Sequence, residues 1–130
     1  MIKPLSECRI AVVTTAALYR PDQPPFDESI KGGDASYRMI PSDTELSSLR
    51  ESHRSAAFDH TGVEKDKNLA LPLDRLRELE SEGVIGSIND RHFSMMGSVT
   101  APGRVTSKTA PEVTELLLED GVDAVLLTPV

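Results

Sequence analysis

The sequence has little cysteine, few basic residues and no long apolar run, and each shortage excludes a class of protein. With one cysteine the chain forms no internal disulfide and holds no redox pair of its own. No apolar stretch approaches the ~20 residues that span a bilayer, and the first residues lack the apolar core of a secretory signal. Basic residues number 14 against 21 acidic ones, and the net charge of −7 opposes binding to nucleic acid or to an anionic membrane. We therefore expect a cytoplasmic protein.

Apolar segments predict strands in a single α/β domain over residues 1–130. Residues 9–15 (RIAVVTT) and 122–128 (VDAVLLT) are continuous apolar runs rich in β-branched side chains. Such runs are typical of strands buried on both faces of a parallel sheet. A further strand is predicted over residues 35–40, near a sheet edge because Pro41 ends it.

Two helices are predicted between these strands. Leucines recur every three residues in residues 72–82, and residues 111–120 follow Thr109, which we expect to cap that helix. Each helix ends at a glycine, and the second leads directly into the last apolar run. Helix, glycine and strand form the second half of a βαβ unit. We therefore predict a mostly parallel, three-layer, Rossmann-like or flavodoxin-like fold.

The remaining segments are predicted to be less regular. Residues 16–34 contain several prolines and glycines and form a long loop at a strand's carboxyl end, where ligands bind in open α/β sheets. Residues 41–68 are polar, with a short helix possible over residues 44–50. Residues 92–96 (HFSMM) are interpreted as a short extended segment, and residues 97–109 as a loop.

Polar residues ahead of the first helix form one candidate site. His53, Asp59, His60 and Asp66 carry groups that exchange protons or orient an ammonium ion. The alternative is a solvated loop whose side chains cap local turns. His53 and His60 stand seven positions apart with no second pair at ligand spacing, so no metal site is predicted.

Several threonine, methionine and histidine side chains elsewhere could be site residues or ordinary structural residues. Thr14 and Thr15 end the first strand, where their hydroxyls either reach a ligand or reflect ordinary β-propensity. Met95 and Met96 are interpreted as core or loop packing. His92 is interpreted as a surface histidine.

The last predicted strand is followed only by Pro129 and Val130. In a doubly wound sheet, a strand is followed by a site loop and then by a covering helix. Either the chain ends on a strand, or the domain is incomplete at its C-terminus.

Five segments in a fixed order carry a family resemblance. They are RIAVVTTAAL, SHRSAAFDHTGVEKDKN, LPLDRLRELESEGVIG, HFSMMG and GVDAVLLTPV. Together they make the chain resemble the selenoprotein B family of glycine, betaine, sarcosine and D-proline reductases, in particular its D-proline reductase branch. The resemblance runs nearly from end to end of the chain.

The resemblance implies a subunit that reductively cleaves a C–N bond in an amino-acid-like amine. It implies a pyruvoyl group on a partner subunit, a thiol or disulfide electron donor, an oligomeric assembly and no cofactor within this chain. In the family, a selenocysteine, or in some members a cysteine, follows the closing strand, so the main nucleophile is expected just after Val130. Selenocysteine is encoded by UGA, which is commonly read as a stop. We therefore expect a truncated N-terminal part that is inactive alone.

The resemblance also assigns site residues. His53 and Asp59 are the expected acid–base or substrate-orienting residues. The expected substrate-binding residues are Thr14, Thr15, Ser52, Asp66, Asn68, Gly97 and Thr128. Arg54 and Ser55 stand where the D-proline branch has glycines, so the resemblance does not identify the substrate.

A second hypothesis needs no resemblance. The chain is then a small acidic α/β domain, complete as given, that binds a ligand or regulates without catalysis. This hypothesis predicts a covered final strand, whereas a truncated chain exposes an apolar face at residues 122–128.

Overall fold

The computed structural model describes residues 3–130, which form one main sheet flanked by helices. In this part of the chain the elements are β1 (Arg9–Thr14), β2 (Leu18–Tyr19), β3 (Tyr37–Pro41), β4 (Arg50–Glu51), α1 (His60–Lys65), α2 (Leu73–Ser81), β5 (Ser87–Ile88), β6 (Arg91–Met95), α3 (Ala110–Glu119) and β7 (Ala124–Thr128). A π-helical turn, Val105–Thr109, leads into α3. None of these helices has the length and apolar character needed to cross a membrane.

Strand β1 lies at the centre of the sheet. On one side it pairs with β7 in parallel, from Ile10 opposite Ala124 to Thr14 opposite Thr128. On the other side it pairs in parallel first with β5 and then with β6. Strand β3 runs antiparallel to β6 at the edge, and β2 and β4 form a separate small ladder. The sheet is thus mostly parallel, as predicted, and β3 is an edge strand; a Rossmann-like or flavodoxin-like assignment is not confirmed.

The alternation of β1 divides the apolar core between the two faces of the sheet. Ile10 and Val12 pack on the face that carries α2, whereas Ala11 and Val13 pack on the face that carries α3. The predicted burial of β1 on both faces is confirmed, because its residues from Ile10 to Thr14 are all buried. Both predicted helices are present within one or two residues of their expected bounds.

A histidine side chain fills a break in the ladder between β1 and its neighbours. Ile10 pairs with Ile88 and Val13 with Phe93, so two residues of β1 face four residues of the other segment. Within this break the Val12 N–H donates to Nδ1 of His92 at 3.0 Å. His92 is fully buried, and its interpretation as a surface histidine is wrong.

The carboxylate of Asp120 connects the end of α3 to the start of β6. Arg91 Nε and Asn89 Nδ2 each donate to Asp120 Oδ2 at 2.9 Å, and Arg91 Nη2 donates to Oδ1 at 2.6 Å. The hydrogen bonds from Arg91 hold the pKa of Asp120 below its ordinary value. We call this set of contacts the Arg91 network.

Several local predictions are wrong. The helix expected over residues 44–50 is only a 3₁₀ turn, Leu46–Ser48, and the polar stretch before residue 68 contains the short helix α1. By contrast, the extended segment predicted over residues 92–96 is confirmed, since most of it belongs to the buried strand β6. Thr109 does not cap α3: helical backbone already precedes it through the π turn, and its hydroxyl donates to the carbonyl of Ala35.

The last strand, β7, is exposed, although its apolar sequence predicted burial on both faces. Val125, Leu126 and Leu127 are 39%, 40% and 67% exposed. Strand β7 pairs with β1 along one edge, and within residues 3–130 no strand pairs with its other edge. The apolar sequence therefore predicted that residues 124–128 form a strand, but it did not predict whether that strand is buried.

Candidate functional site

The carboxyl ends of β1, β6 and β7 meet at one place. The Thr15 N–H donates to the Thr128 carbonyl at 3.2 Å, and the Val130 N–H donates to Thr15 Oγ1 at 2.9 Å. The Thr14 hydroxyl also donates to the Thr128 carbonyl, at 3.3 Å. The Thr128 hydroxyl in turn donates to the Ala70 carbonyl at 2.6 Å. Three threonines predicted as ligand contacts thus hold the segment after β7 in place.

Gly97, two residues after the end of β6, allows three segments to approach one another closely. A Cβ at this position would lie 2.8 Å from the Val130 carbonyl oxygen, 2.9 Å from His53 Nε2 and 2.9 Å from the Thr15 carbonyl oxygen. Real Cβ atoms do not approach other groups so closely, so the site requires glycine here. We call the group formed by Thr14, Thr15, His53, Gly97, Thr128 and Val130 the strand-end site.

His53 reaches the strand-end site because β4 pairs with β2, the strand that follows β1. Ser52 fixes this connection: its N–H donates to the Ala17 carbonyl at 3.1 Å, and its hydroxyl accepts from the Phe26 N–H at 3.2 Å. The predicted substrate-binding residue Ser52 is therefore engaged in backbone contacts. The His53 ring packs against Phe58, with 4.9 Å between ring centroids.

The two ring nitrogens of His53 have different surroundings. Nδ1 accepts from the Ser55 N–H at 3.2 Å. Nε2 is buried and makes no hydrogen bond within the described residues, although the backbone of Val130 lies beside it. Burial lowers the pKa of His53 and the nearby His60 adds to that shift, whereas Glu51 and the backbone of Val130 oppose it.

Behind His53 lies a second histidine that is paired with a carboxylate. His60 Nδ1 lies 2.6 Å from Glu51 Oε2, and the Glu51 side chain is only 9% exposed. The other oxygen of Glu51 accepts the His53 backbone N–H. The hydrogen bond with Glu51 raises the pKa of His60. Sequence reasoning missed Glu51, although its position two residues before His53 was an available signal.

The structure places Asp59 at a helix cap. The carboxylate of Asp59 accepts the Thr61 N–H at 3.0 Å as the N-cap of α1, and the side chain is exposed. Within the described residues it makes no hydrogen bond with His53. Its predicted catalytic role has no contact that supports it.

Asp66 and Asn68 belong to a different part of the surface. Asp66 accepts from both the backbone N–H and the side-chain amide of Asn68, which lowers the pKa of Asp66. Asn68 also donates to Asp74, at the start of α2, at 2.8 Å. These residues line a polar groove of about 470 Å³ that shares no lining residue with the strand-end site.

An apolar cavity opens beside the strand-end site. It has a volume of about 190 Å³, and its walls include Thr15, Met95, Met96, Gly97 and Val99. The two methionines thus line a cavity wall as well as packing in the core. No group of three or more histidine, cysteine or acidic residues is arranged to hold a metal within residues 3–130.

The sequence matches known proteins along its whole length. Residues 1–130 match the family model of glycine/sarcosine/betaine reductase selenoprotein B. The D-proline reductase subunit gamma of Acetoanaerobium sticklandii is 34% identical over 126 residues, which cover 97% of this chain and 50% of that protein. From Peptoclostridium acidaminophilum, the sarcosine reductase complex component B subunit beta is 32% identical and the glycine reductase complex component B subunit gamma is 33% identical.

Both Peptoclostridium proteins are matched over 98% of this chain but only 29% of their own length. The chain therefore spans half or less of these curated relatives. No solved structure matches it significantly. The match over all 130 residues shows that the chain belongs to the glycine/sarcosine/betaine reductase selenoprotein B family.

Proposed function

We propose that this chain is the N-terminal part of a reductase subunit that cleaves a C–N bond in a small amino-acid-like amine. In this reaction two electrons and two protons from a dithiol convert the C–N bond into a C–H and an N–H bond and leave a disulfide. The observation that carries the proposal is the strand-end site, where a buried histidine with a free ring nitrogen meets the end of β7. Family membership supports the reaction class.

The proposed nucleophile is a selenocysteine or cysteine directly after Val130. Val130, the residue before that position, lies beside Thr15, His53 and Gly97 at the carboxyl ends of parallel strands, which supports the proposal. A selenolate or thiolate is an anion, and His53 Nε2 is a buried polar atom without a partner beside this position. The residues present therefore fit a soft anionic nucleophile.

Among the candidate residues, His53 has the geometry that supports a direct role. Thr15 and Gly97 line the adjoining cavity and are proposed to contact the substrate. Thr14, Ser52 and Thr128 are proposed to act by holding the backbone of the site. Of the remaining candidates, Asp59 and Asp66 are helix caps and Asn68 bonds to Asp66 and Asp74; all three are proposed to act only through the loops that they fix.

The exposed strand β7 supports a longer protein in which further segments cover this face. Val125, Leu126 and Leu127 present apolar surface beside the proposed nucleophile. The alternative, a small acidic ligand-binding domain complete as given, predicts that the last strand is covered. The curated relatives are also at least twice as long as the matched region.

We further propose a cytoplasmic complex with a pyruvoyl-containing partner subunit and a thiol or disulfide electron donor. Relatives named as subunits of glycine, sarcosine and D-proline reductases support partner subunits. A small amine is the proposed substrate, and this chain carries no cofactor of its own in the proposal.

The test begins with the gene. We expect an in-frame UGA or cysteine codon after the Val130 codon, followed by further coding sequence. The full-length form, with cysteine at the UGA position, is then assayed with the partner subunit for amine-dependent oxidation of a dithiol. His53→Phe should strongly reduce turnover, whereas Glu115→Gln on the exposed face of α3 should not change it. An ordinary stop codon, or no oxidation with any amine, contradicts the proposal.

A further inference from the structure

The backbone of Ser55 contacts both His53 and His60, and these contacts indicate the protonation state of each ring. Its N–H donates to His53 Nδ1 at 3.2 Å, so this nitrogen carries a lone pair and the ring proton lies on Nε2. Its carbonyl lies 3.2 Å from His60 Nε2, while His60 Nδ1 faces Glu51 Oε2 at 2.6 Å. Both nitrogens of His60 therefore face acceptors, which is the arrangement of an imidazolium.

Glu51 connects the two rings. One carboxylate oxygen accepts the His53 backbone N–H, and the other pairs with His60. The β2–β4 ladder fixes the backbone of Glu51, through its pairing with Leu18. Phe58 packs against both rings, with its centroid 4.9 Å from that of His53 and 4.7 Å from that of His60. The negative charge of Glu51 is thus paired with His60, and His53 is neutral because its Nδ1 accepts from the Ser55 N–H.

The Nε2–H of His53 is a buried donor that makes no hydrogen bond of normal geometry within the described residues; the backbone of Val130 is a poorly aligned partner beside it. The residue is 6% exposed, and the Nε2 atom itself is buried. A buried unpaired donor costs free energy, and such a group in a native structure stores strain, has a functional role, or binds a water, an ion or a ligand. The nearest groups lie around Gly97 and Val130, at the strand-end site.

We propose that His53 donates this hydrogen bond to an anionic group at the strand-end site, and that Glu51 is the residue that positions it. The anion is either the nucleophile of the proposed reaction or the carboxylate of its substrate, so its identity rests on the proposed function. His53 is then a neutral donor that stabilises negative charge, rather than a base that removes a proton. Glu51 acts without touching the reacting atoms.

The protonation states are tested in this chain by ¹⁵N NMR of the histidine rings at pH 7. We expect His53 as the neutral ring with its proton on Nε2 and His60 as an imidazolium. In Glu51→Gln, His60 should become neutral and the His53 ring should lose its single tautomer; the exposed variant Glu115→Gln should leave both spectra unchanged. A wild-type His53 that is protonated on Nδ1, or charged, overturns the inference without any variant.

The anion is identified in two further experiments. The chain, extended by a Gly-Ser tail so that Val130 carries no free carboxylate, is titrated with sodium acetate. A saturable shift of the His53 Nε2 resonance identifies a carboxylate. In the full-length form with cysteine as nucleophile, the rate of alkylation by iodoacetamide is measured against pH. His53→Phe should raise the thiol pKa by about one unit, and His53→Gln, which keeps a donor, should restore most of it.

If neither acetate nor the thiol responds, the inference is overturned. The proposed function can fail independently of this inference. If His53 binds an anion but the full-length form reduces no amine, the inference holds and the proposed reductase function is wrong. Conversely, a reductase whose activity is the same in His53→Phe keeps the proposed function and removes the role of His53.

Discussion

Lowering the pH should destabilise this protein through His92, well before its carboxylates are protonated. Burial lowers the pKa of His92 from its ordinary value of 6.5 to about 4. The folded chain therefore holds a neutral ring, while the unfolded chain takes up a proton below pH 6.5. The free energy of unfolding then falls as the pH drops from 6.5 to 4, and this loss levels off below 4. A shift of this size corresponds to roughly 3 kcal/mol.

The other titrating groups act in separable ways. The pKa of His53 is also lowered by burial, so its contribution has the same sign. The pKa of His60 is raised, so its stabilisation is present below pH 6.5 and is lost as the pH rises through its folded pKa. Aspartates with a lowered pKa contribute stability that is lost only below about 4. They are Asp27, Asp34, Asp66, Asp120 and Asp123.

Urea denaturation of the wild type and of His92→Gln at pH 4.5, 5.5, 6.5 and 7.5 measures the effect. Glutamine keeps an acceptor for the Val12 N–H but does not titrate. We expect the wild type to lose about 2 to 3 kcal/mol between pH 6.5 and 4.5, and the variant to lose much less. Equal slopes in the two proteins, or a flat wild-type profile, would refute the reasoning.

Three further predictions concern packing, charge and the sheet edge. Gly97→Ala should lower the free energy of unfolding, measured by urea denaturation, by about 1 to 3 kcal/mol, because its Cβ meets three groups within 3 Å. Gly103→Ala, which has open space around it, should leave that free energy nearly unchanged. Asp120→Ala should cost a similar amount because it leaves the Arg91 network unpaired, while Glu119→Ala, whose carboxylate lies 3.9 Å from the same guanidinium and is mostly exposed, should have little effect. A large loss in either control would contradict these assignments. Leu127→Lys should reduce aggregation measured by light scattering and leave the urea midpoint unchanged. Unchanged scattering would mean that the protein does not aggregate through the edge of β7.

The sequence predicted those elements whose own residues determine them. An unbroken β-branched run was sufficient to identify β1, and leucine periodicity followed by Gly83 was sufficient for α2. Pro41 correctly marked β3 as an edge strand, because proline lacks the N–H that an inner strand needs. Thr14 and Thr15 were also singled out at the end of β1, and their role as substrate contacts stays a prediction.

Features that depend on distant parts of the chain were not predictable. His92 is buried because its ring replaces a missing backbone acceptor opposite Val12, and that break exists only in the assembled sheet. The role of Glu51 depends on a ladder with β2 and on a histidine nine residues later. The exposure of β7 likewise depends on what covers it, which its own apolar sequence does not encode.

The pairing of β1 with β7 also determines when the sheet can assemble during synthesis. Thr14 and Thr128 are partners although 114 residues separate them. The central strand therefore leaves the ribosome before any of its parallel neighbours, β5, β6 and β7, has been made. Sheets with such long-range pairing fold slowly. At a synthesis rate of about 5 to 20 residues per second, the apolar side chains of β1 remain unpaired for several seconds before β7 is made. We expect the nascent chain to depend on a chaperone over that interval.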